Sequence, residues 1–260
     1  MWFTSYRPFG KTAVDSRFNL PGKLAWMTME IPGSITLLYI MFSLPCEGGI
    51  KTPLPWANWL MAGMFVFHYM YRAVLAPLVL NPTMSPMHPI AWVAAFCWQV
   101  ANATSIGGWL AGYGPRTVED WAGKYGWIEF GMMVWALGLM ANIYHDDELR
   151  EIRRAAARRQ NRRGEAQGDS TKETKKVDKV YEVPQNGLFR AILYPHYLCE
   201  WIEWAGFWMV GGSGCLPARS FLFNEIASMA PQAVWGRRWY LQRFGAEKIG
   251  ARKAIIPGVL

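Results

Sequence analysis

WANWLMAGMFVFHYMYRAVLAPLVL, residues 56 to 80, decides the fold. The stretch holds one Arg, one His and no acid, and as a helix it exceeds the roughly 20 residues needed to cross a hydrocarbon core of about 30 Å. Comparable apolar stretches lie near 24 to 44, 88 to 112, 124 to 144, 188 to 211 and 216 to 235. The joins between them, LPCEGGIKTPLP, LNPTMSP, GYGPRTVED and GGSGCLP, carry the Pro and Gly signals of turns. The pattern predicts an all-α, polytopic membrane helix bundle with six transmembrane helices. It forms one membrane-embedded domain over residues 1 to 260, with a hydrophilic loop at about 146 to 187 and a polar tail at about 236 to 260.

Composition points the same way, since 52% of the residues are hydrophobic and 15% aromatic, with 15 Trp, a load far above that of a soluble domain. The formal charge of +8 is local and is no nucleic-acid footprint. Most of the 27 Lys and Arg fall on the N-terminal segment, the loop RRAAARRQNRRGEAQGDSTKETKKVDK and the tail. With six spans these share one side, cytoplasmic by the positive-inside rule. The opening MWFTSYRPFGK lacks the apolar core and cleavage site of a signal peptide, so insertion is expected to rely on the first membrane helix. GxGxxG after a strand and phosphate loops are both missing from the sequence, which excludes a Rossmann site.

Ionisable groups inside a span are costly and are functional candidates by default. Glu30, in LAWMTMEIPGSITLLY, stands two residues before Pro32, whose missing donor frees a backbone carbonyl. Either the carboxyl is tied to that backbone or to a neighbouring helix, or it keeps its proton in apolar surroundings and donates a hydrogen bond; the second is favoured. His68 and Arg72 are four residues apart and share a face, whereas Tyr69 is turned aside by 100°. A lone span tyrosine is more often an interfacial anchor than an acid.

In YPHYLCEWIEW the offsets of four and three align His196, Glu200 and Glu203. That spacing could hold a metal, but four histidines in the whole chain are too few for a membrane di-iron site, and no metal is expected. Cys46, Cys97, Cys199 and Cys215 form no CxxC; a Cys46 to Cys215 disulfide is left open. In the tail, Arg237, Arg238, Arg252 and Lys253 either lie on an anionic leaflet or face a phosphate-bearing ligand. Trp26, Trp56, Trp59, Trp92, Trp98, Trp201 and Trp204 are read as interfacial belts and packing.

Several of these segments together resemble the steroid 5α-reductase family, the 3-oxo-5α-steroid 4-dehydrogenases. The resemblance runs from FGK at position 9 to KAIIP near the end. NIYHDDELREIR, VYEVPQNGLFRAILYPHYLCEWIEW and WYLQRF are its most specific parts, with WMTMEIP and FHYMYR matching the substrate-pocket segments. It implies a seven-helix reductase fold in the endoplasmic reticulum membrane, with NADPH entering from the cytoplasm and a lipid-like substrate from the bilayer.

The implied reaction adds hydride to the β-carbon of a 3-oxo-Δ4 enone while negative charge flows to the carbonyl oxygen. Tyr69 and Glu30 fall on the pair that holds that oxygen. Asn142, Asp146, Arg153, Tyr181, His196, Glu200, Arg238 and Tyr240 fall on NADPH-contacting positions, with Arg72 a weaker member. Glu203 is given a structural role in the bundle. Membrane lipids and the small substrate are the expected partners, and nucleic acid is not.

The sequence also departs from the pattern. The family carries a further apolar helix ahead of FGK, where this chain has eight residues. Asn186 stands where a second glycine is preferred, which asks it to adopt a left-handed backbone. Gly236 replaces a histidine before RWY, removing a phosphate or adenine contact. GAEKIGARK is one residue longer than its counterpart. Reduction of polyprenols or long-chain enoyl thioesters, and an inactive lipid-binding scaffold, remain alternatives.

Overall fold

The computed structural model describes residues 16–47, 53–166 and 181–260; FGK and the middle of the polar loop lie outside the described residues. Helix α1 is Gly22–Glu47, and α2 is Trp56–Tyr69, which continues as a wider turn over Met70–Leu80. Helix α3 is Pro89–Gly108, prolonged by Trp109–Tyr113; α4 is the short Val118–Trp121 and α5 is Tyr125–Ala166. After a 3-10 turn at Gly187–Arg190 come α6 (Pro195–Gly211), α7 (Leu216–Phe244) and α8 (Ala246–Ile249). Among the described residues the extended pairings are isolated contacts, Leu20 with Met87 and Ile192 with Lys253.

Gly22–Cys46, Trp56–Leu80 and Tyr125–Gln160 are long and apolar enough to cross a membrane, yet only 28, 44 and 33% of their apolar windows are buried inside the protein. Ile35, Tyr39, Phe42 and Val79 are all more than 60% exposed. Faces of that size and chemistry need acyl chains as solvent, so the chain is a polytopic membrane helix bundle.

The chain forms two compact units, Met1–Leu139 with Glu200–Ser228, and Met140–Cys199 with Met229–Leu260. In the first, α1 and α3 approach closely because Gly33 leaves room for Gln99, where a Cβ would lie 2.8 Å from the Gln99 Cδ. Trp92 Nε1 then donates to Thr28 Oγ1 at 3.0 Å, and Gln99 Nε2 to the Glu30 carbonyl at 3.2 Å. Gly131 and Gly206 let α5 and α6 meet at backbone distance in the same way, the small-residue contact common in membranes.

Asn58 closes one end of this unit. Fully buried, it donates to the carbonyls of Leu110 and Pro115, both at 2.7 Å, and accepts from Trp121 Nε1 at 2.8 Å. Helix α4 is started by a reciprocal cap: Asp120 N–H donates to Thr117 Oγ1 at 3.3 Å, and Thr117 N–H to Asp120 Oδ2 at 2.9 Å, as a capping box requires.

The hydrophilic loop starts as a continuation of α5, which runs on to Ala166 with Arg154 bonded to Glu151 at 2.7 Å and Arg158 to Glu151 at 3.1 Å along its polar face. Two expectations change. The fifth apolar stretch, expected from 188, becomes α6 only at Pro195. Its first residues instead form the 3-10 turn and a strand-like run in which Leu193 and Tyr194 N–H groups donate to Lys253 and Ala254 at 2.9 Å. All four cysteines are free, with Cys215 buried and Cys46 exposed, so the disulfide left open does not form.

Candidate active site

Four helices of the first unit, α1, α2, α3 and α7, together with Glu200 on α6, surround a cavity of about 90 Å³. Glu30 reaches it from α1; His68, Tyr69 and Arg72 from α2; Gln99 from α3; Glu225 from α7. Met29, Ala95, Trp98 and Phe221 supply apolar wall. Tyr69 therefore shares the cavity with His68 and Arg72, although a regular helix turns it 100° away. The helix changes pitch at this point, widening from Met70 so that Asn81 N–H bonds back five residues to Ala76 at 2.9 Å. Such widened turns are a recurrent feature of functional sites.

Charge in the cavity is arranged around His68, which is 2% exposed. Its Nδ1 meets Glu203 Oε1 at 2.6 Å, and its Nε2 lies 3.9 Å from Glu200 Oε1. Arg72 reaches Glu200 Oε2 at 3.8 Å and lies over the Trp26 ring at 5.5 Å. Trp204 seals the far side, its ring 4.6 Å from that of His68 and 4.5 Å from Phe221. Glu203, fully buried, is thus a partner of His68 in the bundle and does not line the cavity.

Tyr69, 5% exposed, has its ring 4.9 Å from His68 and 4.6 Å from Phe65, and the Gln99 amide lies beside its hydroxyl. Among the described residues, neither the Glu30 nor the Glu225 carboxyl enters a salt bridge. An isolated charge in such surroundings costs several kcal/mol, so the two carboxyls beside Tyr69 are suited to the neutral, hydrogen-bond-donating form.

The second unit holds Asn142, Asp146, Arg153, Tyr181, His196, Arg238 and Tyr240. Asn142 is 2% exposed on α5, and one turn on Asp146 binds the buried Arg150 at 3.4 Å. An aromatic chain links the others: Tyr181 to Trp239 at 5.0 Å between rings, Trp239 to Tyr240 at 5.2 Å, Tyr240 to Tyr194 at 6.4 Å and Tyr194 to His196 at 5.6 Å. Arg153 exerts its field on the Tyr240 phenol, and Arg238 lies over Trp235 at 4.7 Å.

Two departures noted in the sequence resolve here. Asn186 adopts φ −90 and ψ 156, ordinary extended backbone, and the left-handed position falls on Gly187 at φ +56. A Cβ on Gly187 would stand 2.8 Å from His145 Nε2, the atom that accepts the Leu188 N–H at 3.1 Å. Asn186 instead donates to Glu148 Oε1 at 2.7 Å. At Gly236 the space a side chain would take is filled by the Tyr194 hydroxyl.

Arg252 serves structure: its Nε donates to the Phe189 carbonyl at 2.8 Å and its guanidinium to Gln185 Oε1 at 2.6 Å. Arg237 in turn donates to the Arg252 carbonyl at 2.9 Å. Of the tail cations considered for a phosphate, these two are therefore engaged in holding the tail.

The fold and cavity define an integral membrane helix bundle with an acid- and tyrosine-bearing polar interior. Residues 85–260 match the family described as 3-oxo-5-alpha-steroid 4-dehydrogenase. The chain is 31% identical over 263 residues to an uncharacterized protein of Schizosaccharomyces pombe, covering 96% of this chain and 90% of the relative. It is 29% identical over 262 residues to steroid 5-alpha-reductase DET2 of Solanum lycopersicum, covering 98% and 88%. With 3-oxo-5-alpha-steroid 4-dehydrogenase 1 of Homo sapiens it shares 25% identity over 254 residues, covering 96% and 85%. The chain belongs to the steroid 5-alpha-reductase family and is an oxidoreductase acting on CH-CH groups, of the steroid-type enone reductase kind.

Proposed function

We propose that this protein reduces the C=C bond of a 3-oxo-Δ4 steroid with NADPH, and that Tyr69 and Glu30 receive the substrate's carbonyl oxygen. The observation that carries this is the shared cavity: a buried phenol and a carboxyl that enters no salt bridge among the described residues reach one small polar space from different helices, framed by apolar wall.

The second unit suits a phosphorylated dinucleotide on the chemistry of its donors. Arg153 and Arg238 are exposed cations fitted to pyrophosphate and 2′-phosphate. Tyr181 and Tyr240 offer aromatic faces, and the buried Asn142 offers an amide for ribose or carboxamide groups. His196 and Asp146 lie on the same unit, whereas Arg72 and Glu200 belong to the cavity. When bound, the dihydronicotinamide supplies hydride to the β-carbon of the enone.

The chain's own groups do the rest. As hydride arrives, charge develops on the carbonyl oxygen, and the Tyr69 hydroxyl donates to it with Glu30 as the second donor. Such donors lower the barrier because the charge they meet belongs mainly to the transition state. His68 and Arg72 engage Glu200, and His68 engages Glu203, leaving Tyr69 and Glu30 available to the substrate. The basic N-terminal segment, loop and tail are assigned to the cytoplasmic side of the endoplasmic reticulum membrane, as the positive-inside rule directs.

Tyr69→Phe tests the assignment. Loss of one oxyanion donor is expected to reduce turnover by about 10²–10³ with NADPH affinity nearly unchanged, measured on purified protein with a 3-oxo-Δ4 steroid. A matching loss of cofactor affinity would remove Tyr69 from the role.

A further inference from the structure

The reaction needs a proton as well as a hydride, and neither Tyr69 nor Glu30 is free to give one while holding the oxygen. Glu225 is the carboxyl in the cavity without an assigned task. It projects from α7, on the wall that also carries Phe221, and lines the same space as Tyr69 and Glu30. Its field acts on the Tyr69 phenol, and the charged groups that face it are Glu200, Arg72, Glu30 and His68.

The ion pairs divide these groups. Arg72 and His68 are engaged with Glu200, and His68 with Glu203; among the described residues Glu225 enters no salt bridge. A carboxyl so placed is stable as the neutral acid, which is the form a proton donor requires. It is also on a different helix from either oxygen-holding residue, so it can approach a second atom of the same substrate.

We propose that Glu225 is a catalytic residue, the acid that protonates the α-carbon; this rests on the enone reading above. Hydride adds to the β-carbon, the C=C pair shifts to form the enolate, and the enolate collapses as its α-carbon takes the Glu225 proton. The products are the saturated ketone and a Glu225 carboxylate, which regains a proton from solvent when the ketone leaves. A donor fixed on one wall delivers to one face, so protonation is stereospecific.

The reverse of this step needs no cofactor and gives a direct readout. Incubated in deuterated water with the saturated 3-ketone alone, the protein should exchange one α-hydrogen on one face, as followed by NMR and mass spectrometry. Glu225→Gln should lose this exchange by about 10²–10⁴, the usual range for a positioned acid or base. In the forward direction it should slow by a similar factor and add deuterium at the α-carbon without facial preference, while its dinucleotide affinity stays at the wild-type value.

Glu225→Asp keeps the acid one methylene shorter and should retain single-face addition at reduced rate. It also serves if the Gln variant fails to fold, and loss of facial selectivity in Glu225→Asp would overturn the assignment. So would Glu225→Gln exchanging within threefold of wild type on the same face. If the wild-type protein neither exchanges the ketone nor reduces the enone, the substrate reading fails and the role of Glu225 with it.

Discussion

Gly236→Ala isolates a contact that no reading of the sequence suggests. A Cβ built on Gly236 falls on the Tyr194 phenol, meeting Oη and Cζ, with Cε2 at 2.6 Å. Tyr194 cannot swing away freely: it is 8% exposed, its N–H is held by the Ala254 carbonyl at 2.9 Å, and its ring lies 5.2 Å from Tyr197. Forcing a methyl into such a space costs about 1–3 kcal/mol. A cost of about 2 kcal/mol lowers the melting temperature by roughly 4–8 °C in a chain of this size. Thermal unfolding in detergent or nanodiscs measures it, alongside NADPH affinity. Tyr194→Phe should not relieve the strain, since the clash extends to the ring carbons. Tyr194→Ala should, and in that background Gly236→Ala should cost under about 0.5 kcal/mol. Additive effects of Gly236→Ala and Tyr194→Ala would refute the packing argument.

Glu203→Ala strips His68 of its 2.6 Å partner inside the bundle and is expected to destabilise by about 3–5 kcal/mol, the cost of leaving half a buried pair; thermal unfolding in detergent reads it. Arg153→Ala should raise the apparent NADPH dissociation constant several-fold without altering unfolding, and an unchanged constant would take Arg153 out of the site. Backbone N–H groups of Arg116 and Thr117 hold the exposed Asp120 carboxyl below the usual carboxylate range. Because the folded value lies under the unfolded one, its support for α4 is complete above about pH 3.9 and is lost as pH falls through the folded value. Amide exchange at residues 116–121 should show that acid step, and Asp120→Asn should abolish it.

The helices were legible because lipid demands long apolar runs, and α1, α2, α3 and α7 begin within two residues of the runs read from sequence. The miss at α6 has a physical cause: LFRAILY continues the apolar run, but its Phe189, Ile192, Leu193 and Tyr194 are buried by the 3-10 turn and by pairing with residues 253 and 254. Hydropathy reports burial and does not say in which conformation. Glu225 was overlooked although it carried the signal that singled out Glu30, an acid inside an apolar run. Gln99 carried none, since a neutral amide in a span is common and only the fold brings it to Tyr69. Tyr194 and Gly236 are far apart in sequence, so their fit is visible only in three dimensions, and Asn186 escaped strain because the neighbouring glycine took the left-handed turn.

The balance of charge around the cavity explains how so many acids coexist in apolar surroundings. Glu200 and Glu203 are engaged by Arg72 and His68, so neither carboxyl stands without a cationic or imidazole partner. Among the described residues Glu30 and Glu225 enter no salt bridge, and the proposed reaction uses both as neutral acids. In the proposed reaction the same division separates function: paired carboxyls fix the positions of His68 and Arg72, whereas the unpaired ones present O–H groups to the substrate. A reaction that creates negative charge on an oxygen and then consumes a proton at a neighbouring carbon draws on both unpaired acids. Supplying a third cation beside Glu30 or Glu225 would therefore stabilise the bundle's charge and weaken its chemistry, because each would become a carboxylate with no proton to give.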